Sequence, residues 1–164
     1  MKKFLLFFSL VLLLSSCKTK QYLIKSTDQD LSRIKRILVI KNEYSNIIPV
    51  GIYPQYRIID DFVVKKVPAI ADISNLICNE LSAREIDCEI VNNLSEVDLE
   101  TYYIIYQDYW AWDFKKYMHV LKIRLCKSGR EIKSVASQGN SGGMHDYPNP
   151  KKQVPLLIDL LLKQ

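Results

Sequence analysis

Few side chains in this sequence are able to do chemistry, and cysteine leads them. Cys17, Cys78, Cys88 and Cys126 are its four thiols, and a thiolate is the strongest nucleophile a small side chain supplies. Cys17 closes an N-terminal stretch, MKKFLLFFSLVLLLSSC, in which Lys2 and Lys3 precede an apolar run from Phe4 to Leu14 and then Ser15 and Ser16. A basic start, an apolar middle and small residues before a cut are the layout of an export signal. The run is eleven residues long, within the roughly 7–15 of a signal core and short of the about 20 that span a bilayer. An ordinary cut before Cys17 would put bulky Leu14 where a small residue belongs.

The tetrapeptide Leu14-Ser15-Ser16-Cys17 instead resembles the lipobox of bacterial lipoproteins, which accepts Leu there and requires Cys after it. The resemblance implies diacylglycerol on the Cys17 sulfur, cleavage before Cys17, and acylation of the new amino group. Two or three acyl chains hold firmly where one holds marginally, at about 0.8 kcal/mol per buried methylene. The expected partner of the N-terminus is therefore a membrane, through acyl chains on Cys17. In the sorting rule of enteric lipoproteins, Asp after the cysteine retains a protein at the inner membrane. Lys18 thus implies the outer membrane; a domain facing the periplasm is the first expectation, with exposure at the cell surface the alternative. With Cys17 taken by lipid, three cysteines remain and cannot all pair. A Cys78–Cys88 bridge and a pair of small buried thiols both fit the spacing of those two.

The second chemical candidate is an aromatic stretch, Tyr102 to Trp112, YYIIYQDYWAW. In a strand, Tyr102, Tyr106, Trp110 and Trp112 share one face, and Tyr103 and Tyr109 the other. Were the first face open, Tyr106, Trp110 and Trp112 could stack sugar rings or grip a partner; packing within the sheet is the competing role. Asp108 and Asp113 are expected at the solvent-facing end. His119 and His145 are the only histidines. A metal would need both to converge with a carboxylate such as Asp146, and no ligand spacing supports that, so neither metal nor cofactor is expected. No serine sits in a nucleophile elbow, and GNSGGMHDYPNP lacks the lysine and spacing of a phosphate loop. No residue qualifies as catalytic, and a hydrolase is the weakest reading.

The elements that must position these residues follow from length and periodicity. Removing residues 1–16 as signal leaves 148, enough for one domain. Residues 17–33 read as a lipidated N-terminus and tether, and 34–164 as a single α+β domain. Lys2 and Lys3 leave with the signal, lowering the net charge from +5 to +3; with no basic block, nucleic acid is excluded as a partner class. Ile34–Lys41 is a run of branched aliphatics suited to a covered strand. Residues 42–67, broken by Pro49, Gly51 and Pro54, read as an irregular connection with room for one edge hairpin. Pro68 to Arg84 reads as a helix, with Pro68 at its first position and Ile70, Ile73, Ile77 and Leu81 on one face. Ile86, Cys88 and Ile90 alternate as a strand, giving a βαβ-like unit with the first. Tyr102–Trp112, Met118–Cys126 and Glu131–Gln138 predict an antiparallel meander, with Leu121, Ile123 and Leu125 facing in and Lys122 and Arg124 out. A closing helix from about Val154 to Lys163 is apolar nearly all round, so it is covered on more than one side, by the chain or by a partner.

The expected fold is thus a mixed sheet of about five strands with two main helices. With the lipobox, this element order is similar to that of small bacterial envelope lipoproteins whose periplasmic domain packs two helices on a mixed sheet. The apolar last helix and the absence of catalytic motifs point to a non-enzymatic protein-interaction or assembly module, with an envelope protein meeting the C-terminal helix. A glycan or small-ligand binder using strand 102–112 is the alternative.

Overall fold

The computed structural model describes residues 19–27, 29–48, 65–98, 100–113, 115–139 and 148–163. The signal, Cys17, most of the 42–67 connection, and His145 with Asp146 lie outside them. In order come β1 (Lys20–Ser26), β2 (Arg36–Ile40), β3 (Tyr44–Ile47), β4 (Lys65–Pro68), α1 (Ile73–Ser82), β5 (Asp87–Val91), β6 (Tyr102–Asp113), β7 (Lys115–Lys127), β8 (Arg130–Gln138) and α2 (Pro150–Leu162). The class is α+β, a mixed sheet with two helices. The sheet has eight strands rather than about five, in the order β1-β8-β7-β6-β2-β5, with β3 joined to both β6 and β4.

The meander β6-β7-β8 is antiparallel, while β2 lies parallel to both β5 and β6. Two of the additional strands, β3 and β4, form the antiparallel pair for which the 42–67 connection had room. The other, β1, falls inside the expected tether. It pairs with β8 at the sheet edge, and every one of its residues is exposed. An edge strand with no covered face shows no alternation, so KQYLIKS carries no period-2 signal.

α1 begins five residues later than expected. Pro68 closes β4, and Asp72 caps the helix, its carboxylate accepting from the Asn75 N–H at 3.2 Å. Two successive spacings of four residues then bury Ile73, Ile77 and Leu81 on one face. The helix ends where Glu85 takes the left-handed region, φ 60°, and Ile86 N–H turns back to the Leu81 carbonyl at 3.1 Å. α2 begins four residues earlier than expected, because Asn149 caps it and Pro150 fits its first turn. Arg84 joins the two helices, bridging Glu80 at 2.7 Å and Asp159 at 2.5 Å.

The main core lies between the helices and one face of the sheet. Ile37, Val39, Ile104, Leu121, Ile123 and Leu125 meet Ile77, Leu81, Leu157 and Leu161 there. The opposite face has smaller apolar clusters of its own: Leu38, Val91, Tyr103 and Cys126 in one, and Ile48, Tyr109 and Val120 in another. Lys122 and Arg124 share that second face, yet Lys122 is buried rather than solvent-facing, and Arg124 is half-buried, donating to Gln107 at 3.3 Å. Cys78 of α1 and Cys88 of β5 are joined by a disulfide, with Cα atoms 5.3 Å apart. Cys126 is a buried free thiol.

Candidate binding cleft and the aromatic strand

The alternation expected along β6 is present, and it covers most of the rings. Tyr106 and Trp110 enter the main core, while Tyr103 and Tyr109 enter the clusters opposite. Trp112 alone of the three nominated residues is open, at 51% exposure, with Lys116 Nζ 6.0 Å from its ring centroid. Tyr106, Trp110 and Trp112 therefore do not make one open stacking surface.

Asp108 is buried rather than at a solvent-facing end. Its carboxylate accepts from Trp110 Nε1 at 2.6 Å and from Ser45 Oγ. Ser45 Oγ in turn accepts from the Ile70 N–H at 3.0 Å, and Asn46 Nδ2 donates to the Asp108 carbonyl at 3.2 Å. Buried carboxylates persist where donors surround them. This one fastens β3 and the approach to α1 onto β6.

The same region contains an opening in the sheet. β2 pairs with β6 only through Tyr102–Ile104, and β3 only at Tyr109 and Trp110. Between them the chain steps away at Lys41–Glu43, so among the described residues Ile105–Asp108 has no ladder partner on that edge. Asn42 shapes the step: its side-chain oxygen accepts from the Tyr44 N–H at 3.3 Å, as in an Asx turn, and its own N–H donates to the Tyr106 hydroxyl at 3.2 Å. Two clefts open on the gap and share Lys41, Asn42 and Tyr106. One, of about 230 Å³, runs toward Asp72 and Ser74 at the start of α1. The other, of about 260 Å³, is lined also by Tyr44, Asn46, Lys66 and Gln107.

Together the two clefts offer amides, two phenols, a hydroxyl, two ammonium groups and one carboxylate. Burial pushes the Tyr106 hydroxyl above its ordinary value, so it serves as a neutral hydrogen-bonding group. The Asn75 side chain, with the Asn75 N–H, holds Asp72 below the usual carboxylate range, keeping it ionised near Lys41. Such a set can orient a polar ligand. Of the nominated binding residues only Tyr106 lines it. Lys41, Asn42, Tyr44, Asn46, Lys66 and Gln107 were not nominated from the sequence, where the Asn42-Glu43 turn between two apolar segments was the one local sign.

On α2, Val154, Leu157, Ile158 and Leu161 are buried in the core, and Leu160 and Leu162 pack partly buried against it. Leu156 is left at 48% exposure. Among the described residues no group of three or more His, Cys, Asp or Glu converges as metal ligands, and no helix is long and apolar enough to cross a membrane.

No protein-family model matches the chain, and no curated protein sequence matches it. Among solved structures, a PelC dodecamer from Paraburkholderia phytofirmans aligns with 88% of this chain and 95% of its own, at 14% identity and a TM-score of 0.44.

Proposed function

We propose that this chain is a lipid-anchored envelope protein, held through acylated Cys17 at the outer membrane and facing the periplasm. There it serves as a non-enzymatic interaction or assembly module. The lipobox supports the anchor. The observation that carries the interaction role is the edge at β1, unpaired on its outer side among the described residues, where Tyr22, Leu23 and Ile24 are consecutive exposed apolar residues. A strand paired on one side only offers main-chain hydrogen bonds to an added strand, and its apolar side chains supply contact area. This edge is a stronger candidate than α2, whose apolar surface is largely spent on the core.

In-cell cross-linking tests the reading. The wild-type chain is expected to give one stoichiometric adduct that is lost with Leu23→Lys, a change on a residue 51% exposed that leaves the circular dichroism unaltered. An adduct that survives Leu23→Lys, or none at all, refutes the edge as the interaction surface. The cleft favours a second reading, glycan or small-ligand binding, because Tyr44 and the side chains of Asn42, Asn46 and Gln107 converge beside Tyr106. Ligand binding lost with Tyr44→Ala and indifferent to Leu23→Lys would select it.

A further inference from the structure

Strand register brings the exit toward Cys17 and the tip of the β6–β7 hairpin to one end of the domain. Lys20 lies opposite Gln138, Gln138 opposite Val120 and Val120 opposite Tyr109. From this row β1 runs away toward Ser26, so the chain enters Lys20, through Thr19, from the other side of the row. β6 runs toward that same side. It continues past the row to Asp113, and from Ala111 onward its ladder partners are β7 residues alone, Tyr117, Lys116 and Lys115. Trp112 therefore overhangs the row by three residues, about 10 Å at strand rise. Cys17 precedes Lys20 by three residues as well, a reach of about 10 Å when extended. A lipid on Cys17 is therefore tethered within about 10 Å of Lys20, at the end of the domain from which Trp112 overhangs.

Among the described residues the charges at this end are mainly basic, with Asp113 at the hairpin tip the acidic exception. Lys65 and Lys66 lie opposite Ile47 and Asn46, at the level of Trp110 and Tyr109. Lys116 faces Trp112 across the hairpin. α2 is oriented by Gln21 Nε2 donating to Gln153 Oε1 at 3.1 Å and by Lys133 Nζ donating to the Lys163 carbonyl at its far end. Its first turn, with Lys151 and Lys152, therefore lies toward the row that holds Lys20. Lys20, Lys65, Lys66, Lys116, Lys151 and Lys152 are exposed, as is Trp112. Trp favours the headgroup level of a bilayer, and lysines near an anionic surface add attraction within a Debye length.

We infer that this end of the domain is a second membrane contact, in which Trp112 seats among the headgroups of the bilayer carrying the Cys17 acyl chains and the lysines around it engage anionic phospholipids. The inference rests on the lipid-anchor reading. It sets the strands across the membrane plane, which leaves the β1 edge facing sideways, free for a protein partner.

The test uses the full acylated chain reconstituted in phosphatidylethanolamine–phosphatidylglycerol vesicles containing brominated phospholipid, which quenches nearby tryptophan. Trp110 and Trp112 are the only tryptophans, and Trp110 is buried, so quenching reports Trp112. Quenching is expected in the wild type and lost in Trp112→Phe. It should also weaken when phosphatidylcholine replaces the anionic lipid, and each lysine removed in Lys151→Gln and Lys152→Gln should lower the docked-to-undocked ratio about fivefold. A chain that floats with the vesicles without being quenched, or whose quenching survives Trp112→Phe, overturns the docking and leaves the anchor standing. A chain that neither incorporates palmitate nor floats overturns the anchor, and this contact with it.

Discussion

Removing the Asp108 carboxylate should be among the costliest single changes in the domain. Asp108 is 2% exposed and accepts two side-chain donors, Trp110 Nε1 and Ser45 Oγ. Asp108→Ala leaves both buried without that acceptor, at about 1–3 kcal/mol for each stranded group. Ser45 also holds the Ile70 N–H, so loosening it frees the approach to α1. A total of about 3–5 kcal/mol follows, a large share of the 5–15 kcal/mol that typically holds a domain folded. Asp108→Asn retains an oxygen acceptor and loses only the charge assistance, so about 1–2 kcal/mol is expected. Urea unfolding followed by far-UV circular dichroism reads both, because it does not depend on Trp110 emission. The reasoning fails if Asp108→Ala unfolds within about 0.5 kcal/mol of wild type, or if Asp108→Asn costs as much as Asp108→Ala.

Two further changes address other parts of the fold. Reducing Cys78–Cys88, or replacing both by Ser, opens a link of sequence separation 10. Chain entropy puts its contribution at about 2.5–3 kcal/mol, read as a lower urea midpoint with reductant; an unchanged midpoint contradicts it. His119 is 1% exposed, its ring meeting Tyr117 edge-on at 6.2 Å, and burial holds it below its ordinary value of 6.5. The unfolded chain therefore takes up a proton first as pH falls, so stability declines from about pH 6.5 downward. His119→Gln should flatten the stability profile between pH 7.5 and 5.5, and an equally steep profile in that variant would assign the decline to other groups.

How much of this was legible in the sequence depended on burial. β7 sends large apolar residues such as Leu121, Ile123 and Leu125 to the core face at period two, and although both faces of β7 and β8 are buried that pattern gives the meander to within a few residues. Ile73, Ile77 and Leu81 likewise mark α1, although Pro68 belongs to β4 and the start signal is the pair Asp72 and Asn75. β1 was hidden because all seven of its residues are exposed, so no apolar face marks it. The aromatic alternation on β6 was readable, but which face stayed open was not: Tyr106 and Trp110 are buried in the main core, among residues remote in sequence. The cleft arises from pairing that stops at Ile104 and resumes at Tyr109. That is a property of three strands together, and no single segment encodes it.

Acylation of Cys17 is the claim on which the envelope assignment turns, and metabolic labelling measures it directly. With labelled palmitate, the wild-type chain should carry label and sediment with membranes, while Cys17→Ser should lose the label and keep its signal uncleaved at that site. Equal labelling of the two, or none in the wild type, would contradict the account.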